Sequence, residues 1–402
     1  MQTILLSAGD VSGEMHAAAL VRALAARRPA TRFVGLGGER MRAAGVELVV
    51  DPRALAVGGI VELLPELGRI VGAWRRLGRA LRETEPALVV LVDSGGFNLP
   101  FARHVRRASR AKILYFIAPQ VWAWRPHRLR QLADRVDRIV VCLPFEREHH
   151  AARGVAVEYF GHPIVDAWTS VRRDDPPEES ASERQARVRR LLDLPREGSL
   201  LGIFPGSRRS ELARHLPLQL EAFRRLRASA PRFSTMTAVI GRAPGLTEAE
   251  LRRIAGPLGE GEASGEAGAI RFVETGDGRM LDALDVALTK PGTITLEATL
   301  SGCPMVVVGR VHPITAWLAR RSAQVESVAL PNLLAEAPFV PELLQADATP
   351  ERVASALAPL FDGPERTRQR AGLARVAERL GPPGAIERTA SLVEEMLASP
   401  RA

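Results

Sequence analysis

Short, uninterrupted apolar runs, each about one strand long and most followed by a Gly-bearing turn and a helical stretch, recur along this chain in two series. The first series covers residues 3–7, 32–35, 87–93, 112–116, 138–142 and 157–160, with helical patterns such as 12–26 and 100–107 between them. The second covers 200–204, 235–240, 270–274, 286–288 and 305–308. A strand that is apolar on both faces has to be covered on both faces. This predicts an α/β chain built on doubly wound parallel sheets. The 402 residues suffice for two such domains, at about 150 residues each. The expected division is a first domain over 1–170, a linker and first helix over 171–195 that include the polar stretch 172–183, a second domain over 196–360, and terminal helices over 361–402. Residues 256–268 are rich in Gly and Glu and read as a surface loop. In sheets of this kind ligands lie beyond the carboxyl ends of the strands, so chemistry is sought just after each run.

Charge narrows the ligand class. The net charge is +9, and only two of the 55 basic residues, Lys112 and Lys290, are lysines. A basic surface favours phosphorylated substrates, an anionic membrane face or nucleic acid. The arginines are spread over many helices without a compact basic-aromatic motif, which argues against nucleic acid. Cys142 and Cys303 each sit in an apolar run or at its end and read as buried free thiols. With no metal-ligand spacing and no disulfide framework, a reducing cytoplasm fits. The first residues lack a basic leader and become Gly-rich after one strand, which does not suit a signal peptide. No run reaches the roughly 18 apolar residues that span a bilayer. Residues 57–71 are unusually apolar and lead into Trp74, Arg75, Arg76 and Arg79. That distribution suits a helix lying at a membrane surface or holding an acyl chain, and equally a core helix with a solvated basic end.

Four loops that follow strands carry the candidate chemistry. Pro205-Gly206-Ser207-Arg208 ends one apolar run and opens an amphipathic one. Free amides at a helix start, the positive end of its dipole and a guanidinium together suit a diphosphate. Ala8-Gly9-Asp10-Val11-Ser12-Gly13-Glu14-Met15-His16 places two acids and an imidazole where a helix begins, with Ser12 as a simple N-cap in the plainer reading. Asp93 stands at a strand end before Gly95 and Gly96, where a ligand can approach the backbone closely. Thr289-Lys290-Pro291-Gly292-Thr293-Ile294-Thr295-Leu296-Glu297 repeats the strand-turn-helix pattern, with Glu297 placed to accept from a ribose diol. A further loop gathers Gln120, Trp122 and Trp124 into a platform for a sugar or acyl group, or a plug between domains.

In order and wording these residues resemble the lipid-A-disaccharide synthase family of glycosyltransferases. The resemblance runs through Gly9 to Glu14, Gly58-Gly59-Ile60-Val61-Glu62, Asp93 with Phe97-Asn98, Ala118-Pro119-Gln120-Val121-Trp122-Ala123-Trp124, Phe160-Gly161-His162-Pro163, Pro205-Gly206-Ser207-Arg208, Gly292-Thr293 with Glu297, and Leu330-Pro331-Asn332-Leu333-Leu334. It implies a GT-B fold, two Rossmann-like domains with the active site in the cleft between them. It implies the transfer of a diacylglucosamine unit from UDP-2,3-diacylglucosamine to 2,3-diacylglucosamine 1-phosphate, with inversion and release of UDP. Asp93 is then the leading base, with Asp10 and His16 behind it. Gly206, Ser207, Arg208, Gly292 and Thr293 would bind the UDP diphosphate and Glu297 the ribose, without a metal or other cofactor. Ile60, Val61, Gln120, Trp122, Trp124 and Asn332 fall on the acceptor and acyl side. The expected setting is cytoplasmic and peripheral to the anionic inner membrane, with a homodimer left open and the terminal helices packing on the first domain or on a second subunit.

Three departures bear on this. Asp10 and Glu14 stand in exchanged order relative to the family's Glu-then-Asp, Ser94-Gly95-Gly96 replaces a proline and a second acid after Asp93, and Lys290-Pro291 replaces a small-residue lead. Thr-Lys-Pro-Gly is also similar to transferases that glycosylate diacylglycerol or build the peptidoglycan precursor. Another lipid acceptor is therefore the alternative within the class, and a non-catalytic nucleotide-sugar or nucleic-acid binding protein the alternative outside it.

Overall fold

The structure, a computed structural model, describes residues 2–51, 60–120, 128–256, 270–276, 278–322 and 325–399. The chain divides into two compact units: Met1–Asp166 with Trp317–Gln324 and Leu380–Ala402, and Ala167–Ala316 with Val325–Arg379.

The first unit holds β1 (Thr3–Ala8), β2 (Arg32–Leu36), β3 (Val46–Val50), β4 (Leu88–Val92), β5 (Lys112–Phe116), β6 (Arg138–Val141) and β7 (Glu158–Tyr159), ordered β3-β2-β1-β4-β5-β6-β7. Every pairing is parallel. Alternate residues of β1 and β4 feed opposite faces, as the period of two requires. Leu5, Val89 and Leu91 pack under Leu77, Phe101 and Val105, the last two from helix α2 (Gly95–Ala108). On the other face Ile4, Leu6, Leu88, Val90 and Val92 meet Ala17, Leu20 and Leu24 of helix α1 (Val11–Arg27). That second face is completed by Ile386, Ala390, Val393 and Met396 from the C-terminal helix Ala385–Ala398.

This last helix is clamped at both ends in the sense its dipole requires. The Asp166 carboxylate accepts from the backbone N–H of Gly384 and, at 2.8 Å, of Ile386. At the other end the Lys112 ammonium donates to the carbonyls of Met396 and Ser399. The preceding helix, Gly363–Arg379, belongs to the second unit. The 361–402 segment expected as one terminal piece thus divides between the two cores.

The second unit holds β8 (Leu200–Phe204), β9 (Thr237–Arg242), β10 (Ile270–Glu274), β11 (Val286–Thr289), β12 (Met305–Gly309) and β13 (Glu342–Leu344), ordered β10-β9-β8-β11-β12-β13 and again parallel throughout. Helices α3 (Arg209–Ser229) and α4 (Ile294–Ser301) follow β8 and β11. The polar stretch 172–183, expected as linker, is bound into this unit. Arg172 pairs with Asp282, its guanidinium stacked 3.0 Å above the Trp168 ring. Glu179 receives Arg187 at 2.7 Å, and Ser180 caps the helix Ala181–Leu191.

Both sheets reverse their winding at one place, between β1 and β4 and between β8 and β11. There a crevice opens at the carboxyl ends. Ala8 lies beside Val92 in register, and Phe204 beside Thr289. The loops that carry Asp10 and Asp93 therefore start from adjacent strands, as do those that carry Arg208 and Lys290.

Asp166→Ala should remove the N-terminal clamp of the last helix. The expected loss is about 1–2 kcal/mol in urea unfolding of the first unit, read from earlier amide exchange in 385–398 than in β1.

Candidate active site

In the first unit the turn after β1 is organised by Asp10. It is the N-cap of α1, its Oδ1 accepting from Gly13 N at 2.6 Å and from Ser12 Oγ at 3.2 Å. The cap expected of Ser12 thus belongs to Asp10, and its other oxygen takes Ser94 Oγ at 3.3 Å. Glu14 faces elsewhere and accepts from Arg40 N at 2.7 Å, in the first turn of the helix Glu39–Ala43. His16 is buried against His162, with ring centroids 6.2 Å apart. Burial first, and the Arg40 charge second, pull the His16 pKa down to about 4. Burial and His16 pull that of His162 down to about 3, and its Nδ1 accepts from Ile164 N at 3.0 Å. Both rings are neutral at physiological pH.

Asp93 and Ser94 adopt left-handed φ values of 46° and 47° in succession. Residues with a Cβ enter that region at a cost, so the surroundings must hold them there. The Asp93 carbonyl accepts from Tyr115 OH at 2.7 Å and from Asn98 Nδ2 at 3.0 Å. Asn98, fully buried on α2, also donates to Val92 O and Ser7 O and accepts from Ser7 Oγ at 2.6 Å. One amide therefore ties the end of β1 to the end of β4 and sets the turn that presents Asp93. Burial, then the charges of Asp93 and Asp10, drive the Tyr115 phenol well above its ordinary range, so it stays a donor. In the sequence Asn98 stands out only beside Phe97 in the stretch after Asp93; a lone Asn in an apolar helix is its one local signal. Gln120 is half-buried after β5. Trp122 and Trp124 lie outside the described residues, as do the side chains of Ile60 and Val61.

In the second unit Gly206 takes φ 120°, and a Cβ there would stand 2.4 Å from Glu211 Oε2. Arg208 is the N-cap of α3. The amides expected to face a ligand are occupied by the chain itself: Glu211 Oε2 accepts from Ser207 N at 3.1 Å and Arg208 N at 3.4 Å. Its Oε1 receives Arg208 Nη1 at 3.3 Å and Lys290 Nζ at 3.2 Å. Burial opposes charge on Glu211, yet Lys290 and Arg208 outweigh it and hold the carboxyl below the usual glutamate range. Across the crevice Gly292, at φ 143°, precedes Thr293, the N-cap of α4, and Glu297 lies half-buried in its first turn. Gly206, Ser207, Arg208, Gly292, Thr293 and Glu297 are thus carried by the loops and helix starts that follow β8 and β11.

Asn332, expected on the acceptor side, bonds to the chain's own residues 339–342. Its Nδ2 donates to Val340 O at 2.8 Å and Glu342 Oε1 at 2.6 Å, and its Oδ1 accepts from Phe339 N and Val340 N. Every hydrogen-bonding position of the amide is spent on residues 339–342, so Asn332 is a clasp for the start of β13.

A family model described as lipid-A-disaccharide synthetase matches residues 4–396. The lipid-A-disaccharide synthase of Geobacter metallireducens is 39% identical over 99% of this chain and 98% of its own. That of Myxococcus xanthus is 38% identical over 98% and 97%. Among solved structures, S. aureus MnaA with UDP superposes with a TM-score of 0.62 at 14% identity, covering 99% of this chain and 97% of that one. The calicheamicin glycosyltransferase CalG4 does so at 0.58 and 16%, covering all of both. At these identities the two structures speak for the GT-B type of fold alone.

Two outcomes are expected from this geometry. Asn98→Ala should cost about 1–3 kcal/mol, because Ser7 Oγ and the strand-end carbonyls lose their partner in the interior; turnover should fall at least about tenfold in a fraction that remains folded. The second concerns pH. An unfolded chain protonates histidine near 6.5, whereas the native His16 and His162 refuse the proton until about 4 and 3. Their stabilising contribution is thus complete above pH 6.5 and is lost as pH falls towards 4. His162→Asn, which keeps an acceptor for Ile164 N, should shrink the stability lost between pH 7.5 and 5 by about 1–2 kcal/mol in urea titrations.

Proposed function

Because this chain belongs to the lipid-A-disaccharide synthase family and is a UDP-sugar glycosyltransferase of lipid A biosynthesis, we propose that its donor is UDP-2,3-diacylglucosamine and its acceptor 2,3-diacylglucosamine 1-phosphate. The observation that carries the assignment of roles is the contrast between the two crevices. The one at β1 and β4 carries the acids Asp10 and Asp93, and the one at β8 and β11 carries a guanidinium, an ammonium and helix-start amides gathered on Glu211.

The reaction forms a bond from the acceptor's 6-oxygen to the donor's anomeric carbon and breaks that carbon's bond to UDP, with inversion. Asp93 takes the hydroxyl proton as the oxygen attacks. Asp10 ranks behind it because its Oδ1 already caps α1 and its Oδ2 holds Ser94. His16, neutral but buried against His162, ranks third. Charge that develops on the leaving UDP is met by Arg208, by the amides at Gly206-Ser207 and by the helix start at Gly292-Thr293. Glu297 accepts from the ribose diol. These groups supply the positive field themselves, so the reaction proceeds without a divalent cation.

The helix Ile60–Thr84 supports a reading of peripheral membrane binding at the cytoplasmic face. Leu67, Val71, Arg75 and Arg79 recur four residues apart on one exposed stripe, apolar first and basic after. Such a stripe lays its apolar part into the acyl boundary and its arginines against anionic headgroups. Among the described residues no helix is long and apolar enough to cross a membrane.

Incubation with both diacylated substrates should release UDP, unchanged by EDTA, and replacing the acceptor with diacylglycerol should abolish release. Asp93→Asn and Arg208→Ala should each lower turnover at least about tenfold; full activity in Asp93→Asn would move the base to Asp10 or His16. Leu67→Asp with Val71→Asp should weaken sedimentation with anionic vesicles while leaving UDP binding unchanged.

A further inference from the structure

We propose that Glu211 is a built-in stand-in for the diphosphate, which must swing out when UDP enters and in doing so hands Lys290 and Arg208 to the ligand. This rests on the reading of the β8/β11 crevice as the UDP site and adds how that site is kept when empty.

Four donors converge on the one carboxylate: two backbone amides, a guanidinium and an ammonium, all within 3.1–3.4 Å. They are the groups that a phosphate at this turn would need. The glutamate side chain is 13% exposed, against 33% for Arg208 and 23% for Lys290, so the anion sits inside and the cations at the rim. Gly206 makes the position possible, since any Cβ would displace the carboxylate. Lys290 is fixed from a second side, its Nζ donating to Pro291 O at 3.0 Å directly before the turn into α4. The ammonium therefore stands between the two loops of the crevice, with the carboxylate of one and the helix start of the other in reach.

A diphosphate and the Glu211 carboxylate cannot both hold Ser207 N and Arg208 N. Entry of UDP is then an exchange of anions. The donors are already oriented by the resident carboxylate, so little ordering remains to be done on binding. A ligand wins the exchange only if it engages Arg208 and Lys290 together with more than the single charge it displaces. The device favours a diphosphate over a lone carboxylate or monophosphate.

Calorimetric titration of the full chain with UDP tests this. Glu211→Gln should bind UDP about tenfold more tightly than wild type. Lys290→Met should weaken binding at least threefold in the wild-type background and at least tenfold in the Glu211→Gln background, because only in the former does the lost ligand contact come with a released competitor. Lys290→Arg should restore part of the affinity. Weaker binding in a Glu211→Gln protein that melts cooperatively near the wild-type temperature would overturn the proposal, since Glu211 would then support the bound state. So would an unchanged UDP affinity in Lys290→Met, a measurement that stands even if Glu211→Gln fails to fold. Wild-type protein that binds no UDP would instead refute the reading of the crevice itself.

Discussion

A parallel strand cannot return to its neighbour through a tight turn, and this constraint governs the rest of the molecule. Each β1-to-β2 or β8-to-β9 step needs a crossover, the crossovers cover both faces, and both faces must then be apolar. The polar chemistry is left only the strand ends. Where the winding reverses, at β1/β4 and β8/β11, two outgoing chains part company and leave a crevice with helix starts on its walls. The positions of Asp10, Asp93, Arg208 and Lys290 follow from that topology.

The two crevices solve opposite problems of preorganisation. In the first, a carboxylate-bearing turn has to be held in a costly left-handed conformation, and the restraint is neutral: Asn98 and Tyr115 grip the Asp93 carbonyl. A charged restraint there would alter the acidity of the group it positions. In the second, two cations and two helix-start amides would repel or be flooded by solvent if left facing each other. Their restraint is therefore an anion, Glu211, whose own charge is maintained by the neighbours it neutralises.

The uninterrupted apolar runs and the helical patterns between them placed most of the sheet. The strands that escaped were β3 and β13, each interrupted or flanked by an acid, Glu47 and Glu342, and each at an edge where one side faces solvent. The loops after β1, β4, β8 and β11 were legible because glycine, an acid or a base, and a helix start fall together there. What could not be read was which of those groups the protein uses on itself. Asp10 as a cap, Glu14 on the amide of Arg40 and Asn332 on residues 339–342 all look like ligand groups in one dimension. Each accepts from the chain itself: Asp10 from Gly13, Ser12 and Ser94, Glu14 from Arg40 N, and Asn332 from Phe339 N and Val340 N while it donates to Val340 and Glu342. Glu211 is the converse case: at N3 of a helix it reads as a capping-box acid, and only the approach of Lys290, from another strand end, shows that it also closes a charge cluster.

The use of lysine in this chain supports that reading of Lys290. Nearly all its cations are arginines, and a guanidinium suits flat, two-oxygen partners. Both lysines are instead found where oxygens converge from separate directions on one nitrogen. Lys112 serves two carbonyls at the end of the last helix, and Lys290 serves the Pro291 carbonyl and the Glu211 carboxylate. A compact ammonium with donors pointing three ways meets such partners without choosing a plane. At the diphosphate crevice this has a chemical consequence: an ammonium can turn from a carboxylate to a phosphoryl oxygen while keeping its backbone contact, whereas a planar fork matched to one anion would have to reorient as a whole. Lysine at 290 is thus the cation better suited to a site whose occupant changes.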